Sequence, residues 1–194
     1  MAGSLKKGFL SCRPEEKEKT GSCRPEEKVQ ISLEELAGSV TGLLIENNLT
    51  ISTMESCTSG LIASLITDTE GASAIFPGSM VTYSNEAKIS AGVPAEVISS
   101  CGVYSKECSL AMAKAARSHF QTKIAIGVTG NTGNVDPNNT DGIPGIMYYT
   151  ILFDDREVTE IFSLDCEGLS RSEIKRIYAG EILQCLHRLI CTGC

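Results

Sequence analysis

The chain is short of histidine, of basic residues and of long apolar runs, and each shortage closes off a class of function. Its 194 residues hold two histidines, His119 and His187. His119 falls near the end of one helical pattern and His187 inside another, and neither adjoins a loop that follows a strand. A Ser-His-Asp triad, which needs an imidazole beside its nucleophile, is therefore not expected. Lys and Arg number 17 against 24 Asp and Glu, a formal net charge of -7 at pH 7. Nucleic acid and membrane surfaces call for clustered Lys and Arg, so neither is an expected partner. A small anion held by local groups stays open. No apolar run approaches the roughly 20 residues of a membrane helix. Lys6 and Lys7 precede no apolar core of signal-peptide length. A cytoplasmic protein is expected.

What is present suits one domain with a real core: 42% of the residues are hydrophobic. The nine cysteines are odd in number and irregularly spaced, in a chain too long to need a disulfide framework. Most of them read as reduced, small, buried hydrophobes. Cys191-Thr192-Gly193-Cys194 has the CxxC spacing but no second pair, so it reads as a fraying end and no metal site is expected. Residues 1–28 stand apart. They carry an imperfect duplication, Ser11-Cys12-Arg13-Pro14-Glu15-Glu16-Lys17 and Ser22-Cys23-Arg24-Pro25-Glu26-Glu27-Lys28. So charged a segment buries too little apolar surface to offset its ordering entropy, and a disordered tail is expected, with a peptide-docking motif as the sharper alternative. Residues 29–194 then form the domain.

Ser32 with Glu35 opens a capping box, followed by Leu33, Leu36, Val40, Leu43 and Leu44 at helical spacing. A strand is expected over 49–54, then a polar turn and a helix to about Thr69. A second strand over 79–83 leads into a helix capped by Ser84 or Asn85. Ser105 caps a long helix that turns Leu110, Met112, Ala113, Ala116 and Phe120 inward. The β-branched run at 123–128 reads as a buried central strand. A long polar loop, 129–142, a hairpin over 145–164, and a last helix behind the Ser170–Glu173 box complete the chain. Strands alternating with helices predict an α/β fold with a largely parallel, mixed sheet. In such sheets ligands bind beyond the carboxyl ends of strands. The turn 55–60, the segment 84–88 and the loop 129–142 are thus expected on one rim.

Glu55-Ser56-Cys57-Thr58-Ser59-Gly60 places two hydroxyls and a thiol where a strand becomes a helix. Unpaired N–H groups at a helix start can receive an oxyanion or phosphate, although Ser and Thr are common there as plain caps. A hydroxyl nucleophile needs a base. With histidine scarce, a Lys whose pKa is lowered by burial can serve, and Lys88, just past the second strand, is the best placed. An exposed surface Lys is the ordinary alternative. Cys57 is intrinsically the stronger nucleophile, but if Ser56 faces the rim, Cys57 points inward as a structural thiol. Gly130-Asn131-Thr132-Gly133 is no dinucleotide fingerprint, since a third Gly and a following helix are missing.

Glu55-Ser56-Cys57-Thr58-Ser59-Gly60 resembles the E-S-C-T-G-G motif of the CinA C-terminal-domain family, the nicotinamide-nucleotide amidases. Val81-Thr82-Tyr83-Ser84-Asn85-Glu86-Ala87-Lys88 resembles its V-x-Y-S-N-x-x-K segment, and Gly102-Val103-Tyr104-Ser105 its G-A-V-S turn. The resemblance covers about residues 33 to 190. It implies a three-layer α/β/α sandwich that deamidates nicotinamide mononucleotide to nicotinic acid mononucleotide and ammonia, without metal or cofactor. By position Ser56 matches the nucleophile and Lys88 the base. The N–H groups of the 57–60 turn would hold the oxyanion. The expected substrate contacts are Cys57, Thr58, Ser59, Gly60, Tyr83, Asn85, Thr129, Gly130, Asn131, Thr132, Arg171 and Lys175. A small-molecule pyridine nucleotide is the expected partner, and a homo-oligomer, dimer or higher, the expected assembly. The sequence also departs from the family pattern. Ser59 replaces a motif glycine, Lys175 replaces an arginine, and the S-G-I-A-G-P-x-G-G loop becomes Thr129-Gly130-Asn131-Thr132-Gly133-Asn134-Val135-Asp136-Pro137. The rival expectation is a weak or inactive member that binds a nucleotide or a protein.

Overall fold

The computed structural model describes residues 31–133, 136–137 and 139–192. The expected tail, residues 1–28, and Cys194 of the CxxC pair lie outside the described residues. Five strands, β1 (Ile51–Glu55), β2 (Gly78–Val81), β3 (Ile124–Gly130), β4 (Ile146–Phe153) and β5 (Arg156–Ser163), form one sheet in the order β2-β1-β3-β4-β5. β1 lies parallel to both β2 and β3, while β4 and β5 are an antiparallel hairpin beside β3. The sheet is therefore mixed, and the α/β expectation holds. The helices are α1 (Leu33–Glu46), α2 (Leu61–Thr67), α3 (Asn85–Ser90), α4 (Ala95–Cys101), α5 (Lys106–Phe120) and α6 (Arg171–Cys191). None is long and apolar enough to cross a membrane.

β3 shows why the molecule has three layers. Side chains alternate across a strand. Ile124, Ile126 and Val128 pack into a core shared with Val40 and Leu44 of α1, Ile62 of α2, and Ile182 and Leu186 of α6. Ala125 faces the other way, into a core built on Met112, Ala113 and Ala116 of α5. Each fully buried aliphatic side chain is worth ~1.5–3 kcal/mol. Small residues on the α5 side let backbone meet backbone. A Cβ on Gly127 would collide with the Ser109 carbonyl oxygen and the Ala113 nitrogen, so only glycine allows this approach.

The caps form as their sequences direct. Ser32 with Glu35 and Ser170 with Glu173 make complete capping boxes. Ser84 and Ser105 cap α3 and α5. Three details differ from expectation. β1 runs on to Glu55 because pairing with Val128 on one side and Val81 on the other holds that residue in the sheet. β2 ends at Val81, where the chain turns into the Ser84 cap and leaves Tyr83 exposed. α4 was not foreseen because it buries no residue, and so shows no apolar stripe.

Candidate active site

The carboxyl ends of β1, β2 and β3 open on a cavity of about 840 Å³. Ser56 follows β1 directly and lines it, 8% exposed. Lys88 reaches it from the first full turn of α3, after the chain has left β2. The Lys88 side chain is 2% exposed, and its Nζ donates to Ser56 Oγ at 3.1 Å and to the Thr82 carbonyl at 3.0 Å. Burial lowers its pKa below the ordinary lysine value of 10.5, against weaker opposing pulls from Cys108, Cys57 and Asp136. A buried amine that gives up its proton easily, in contact with a hydroxyl, is the arrangement a Ser–Lys nucleophile requires.

The neighbouring thiol is placed differently. Cys57 lines the cavity but is 3% exposed, and burial first, then the Glu55 carboxylate, push its pKa up to about 12. It stays a thiol near neutrality, which leaves the nucleophile's role open to Ser56.

Glu55 organises the turn. It is fully buried, and its carboxylate accepts from Thr53 Oγ1 (3.0 Å), Thr58 Oγ1 (2.7 Å), and the N–H groups of Gly60 (2.9 Å), Ile62 (3.2 Å) and Ala63 (2.9 Å). Gly60 itself supplies no side-chain cap to α2, so this carboxylate caps the helix instead. The expectation of an anion site at residues 58–60 is corrected here. Those donors already hold an anion, and Thr58, Ser59 and Gly60 do not line the cavity. The N–H groups of Ser59 and Leu61 are also taken, by the carbonyls of Ser56 and Thr58. Of the N–H groups of this turn, that of Cys57, a residue lining the cavity, meets no carbonyl or carboxylate among the described residues and is the one placed for an oxyanion.

Thr129, Gly130, Asn131 and Thr132 all line the cavity, as do Tyr83, Asn85 and Arg171. Thr129 Oγ1 donates to the Val103 carbonyl at 2.8 Å, and the buried Tyr178 hydroxyl donates to the Asn131 carbonyl at 3.0 Å. Arg171, the first residue of α6, donates from Nη2 to the Tyr83 hydroxyl at 2.6 Å. Lys175 does not line the cavity. It lies one helical turn beyond Arg171 and takes no part in the lining, so its expected contact with the ligand is withdrawn.

The sequence reading assigned no role to Glu55, Asp136, Asn139 or Tyr104. Asp136 Oδ2 accepts from the Tyr104 hydroxyl at 3.0 Å and from Asn139 Nδ2 at 2.8 Å, while Asn139 Oδ1 accepts from Asn85 Nδ2 at 2.9 Å. Asp136, Asn139 and Tyr104 line the cavity. A polar loop after a buried strand was the available signal, but nothing local says which of its residues turns inward. Among the described residues, no group of three or more His, Cys, Asp or Glu could hold a metal ion.

The profile of the CinA C-terminal domain matches residues 33–190. The chain belongs to the CinA C-terminal domain family. A CinA-like protein of Fervidobacterium nodosum is 45% identical over 101 residues, 52% of this chain and 25% of that protein. A second CinA-like protein, from Geotalea daltonii, is 47% identical over 95 residues, 48% of this chain and 23% of that one. The matched region thus spans about a quarter of the length of these curated relatives. Among solved structures, the competence/damage inducible protein CihA of Agrobacterium tumefaciens superposes with a TM-score of 0.72 at 29% identity, covering 81% of this chain and 94% of its own. A CinA superfamily protein of Klebsiella pneumoniae, 21% identical, shares the fold with a TM-score of 0.76 over 84% of this chain and 99% of its own.

Proposed function

We propose that this CinA domain is an amidohydrolase that deamidates nicotinamide mononucleotide or a close relative, with Ser56 as nucleophile and Lys88 as general base. The contact that carries the reading is Lys88 Nζ at 3.1 Å from Ser56 Oγ, on an amine whose pKa burial has lowered. With Lys88 neutral the hydrogen bond reverses, and the Ser56 hydroxyl donates to Nζ. Ser56 Oγ attacks the carboxamide carbon as its proton passes to Lys88. The carbonyl oxygen becomes an oxyanion held by the N–H group of Cys57. Lys88 returns the proton to the amide nitrogen, the C–N bond breaks, and ammonia leaves an acyl-Ser56 ester. Water, deprotonated by Lys88, then attacks the ester carbon. The ester bond to Ser56 breaks, and Lys88 reprotonates Ser56 Oγ as the pyridine carboxylic acid departs.

The test is release of ammonia from nicotinamide mononucleotide by the full chain and by two variants. Ser56→Ala should lose turnover by ~10³-fold or more while still binding ligand. Cys57→Ala should stay within about threefold of wild type, since the buried thiol stays protonated. The reverse pattern would hand the nucleophile's role to Cys57. No ammonia from any of the three proteins would favour the rival reading, a domain that binds without reacting.

A further inference from the structure

The helix that carries Lys88 has little apolar surface to hold it. α3 is six residues long, well below the ~12–15 at which an isolated helix begins to persist in water. A helix so short usually takes its place from packed apolar side chains. Yet the one residue of α3 that is buried is Lys88 itself, and Ile89, its large apolar residue, is 43% exposed. The segment is fixed where it enters and where it leaves. Thr82 is buried, and its N–H donates to the Glu55 carbonyl at 2.8 Å. Val93 is buried in the core on the α5 side, and its N–H donates to the Lys88 carbonyl at 3.0 Å. Between those two anchors the helix depends on polar contacts.

A ladder of side-chain hydrogen bonds supplies them. Asn85 and Lys88 are three residues apart, so they share one face of α3, and both line the cavity. On that face Asn85 Nδ2 donates to Asn139 Oδ1 at 2.9 Å. Asn139 Nδ2 donates in turn to Asp136 Oδ2 at 2.8 Å, and the same oxygen accepts from the Tyr104 hydroxyl at 3.0 Å. Tyr104 immediately precedes Ser105, the cap of α5. The ladder therefore runs from the face of α3 that bears the amine, across the loop after β3, to the start of α5. The loop's tie from Tyr178 to the Asn131 carbonyl touches no part of α3.

We propose that Asn139 is a positioning residue for the base: through Asn85 it holds the cavity face of α3, and with it the Lys88 amine, against Ser56. Its bearing on turnover rests on the amidase reading, whereas the hold on the amine does not. The groups that face the amine are Ser56 and Cys57 after β1, the Thr82 carbonyl after β2, Cys108 of α5 and Asp136 of the loop. Truncating Asn139 or Asn85 removes none of them. It frees the helix on that face, so water reaches the amine and relieves the burial that keeps its pKa low.

The test follows the amine itself, by NMR titration of the full chain with isotope-labelled lysine ε-carbons, the Lys88 resonance being assigned by its loss in Lys88→Met. Asn139→Ala and Asn85→Ala cut the same bond from its two ends. Each should raise the Lys88 midpoint towards 10.5, by about half a pH unit or more. The double variant should raise it no further than the larger single, because both act on one contact. In ammonia release from nicotinamide mononucleotide, Asn139→Ala should lower kcat about tenfold with KM within about threefold of wild type. A midpoint that neither variant moves overturns the proposal, as does a double variant whose shift is the sum of the two. A raised KM with kcat and midpoint unchanged does so too, since Asn139 would then support the ligand alone. No ammonia from the wild-type chain, with the midpoint moved by both variants, sinks the amidase and keeps the positioning role. Ammonia release with an unmoved midpoint does the converse.

Discussion

Residues 55–63 and residues 129–142 both leave strands of one sheet at the same end, yet they are held in opposite ways. The first is tied from within: one carboxylate, Glu55, gathers donors from both sides of its turn. The described residues of the second also take ties from outside, from Tyr178 of α6 on the Asn131 carbonyl, from Tyr104 on Asp136, and from Asn85 of α3 on Asn139. A segment tied from within keeps its shape when its surroundings change. One tied from outside takes its shape from whatever side chains the neighbouring elements present. The proposed chemistry sits beside the first, and described residues of the second line the same cavity.

The comparison breaks most severely at Glu55. Glu55→Ala leaves the buried N–H of Ile62 and the half-buried N–H groups of Gly60 and Ala63 without this acceptor. Hydrogen bonds to a charged group are strong and orphaned donors costly, so the loss should be ~3 kcal/mol or more. In a chain of this size that is a fall of about 10 °C in melting temperature. A fall of under about 2 °C would mean the turn holds itself without the carboxylate.

The next test uses pH. The base form of Lys88 is the active one, so kcat/KM for amide release should rise with pH to a midpoint below the ordinary lysine value of 10.5, since burial lowers its pKa. Asp136 pulls in the other direction, so Asp136→Asn should move the midpoint further down. An unmoved midpoint would separate the loop electrically from the dyad. Stability carries the same sign. The fold disfavours the charged amine, so the unfolded chain holds the proton more tightly. The Lys88 contribution therefore improves as pH rises from its folded pKa towards 10.5, and below the folded pKa the full cost of burying the ammonium is present.

Two smaller tests sharpen the contrast. Tyr178→Phe removes the donor on the Asn131 carbonyl and should cost ~1 kcal/mol, with weaker ligand binding and little change in kcat, because the tie it cuts belongs to the loop. Equal losses in kcat and kcat/KM would show that the loop acts on the reacting bond. Ser59 has φ of 54°, in the left-handed region, beside Gly60 at 88°. Ser59→Gly should relax that strain and change stability by ~1 kcal/mol or less, in the favourable direction, with activity unchanged.

How far the sequence could be read follows the same division. The capping boxes at Ser32 and Ser170 and the caps at Ser84 and Ser105 were legible because a cap is a local matter, settled within four residues. The β-branched run at 123–128 announced a central strand, and both faces of that strand are covered. The nearness of Ser56 and Lys88 could be suspected from two strand ends on one side of a parallel sheet, though its distance could not. Glu55 escaped assignment because an acidic residue at a strand's end reads as exposed, and its burial depends on donors supplied by residues that come later. Asp136 and Asn139 escaped because their partners, Tyr104 and Asn85, lie more than thirty residues away in sequence. Of the two cations expected at the start of α6, Arg171 lines the cavity and Lys175 does not, a difference that helical spacing alone does not announce because the two share one face.

Gly127 has a consequence for how such a domain can diverge. Backbone contact with α5 pins β3 three residues before the Gly130–Thr132 segment begins, so whatever sequence follows starts from the same origin and heading. Stretches with a fixed point of departure can be exchanged between relatives as interchangeable parts. A lineage could change its preferred ligand by rewriting residues 131–142 while leaving the core packing on either side of β3 as it was. Variation imposed at 127 itself would fall on α5 and on every element that leans against it, and selection would remove such chains for failing to fold before their ligand preference came under trial.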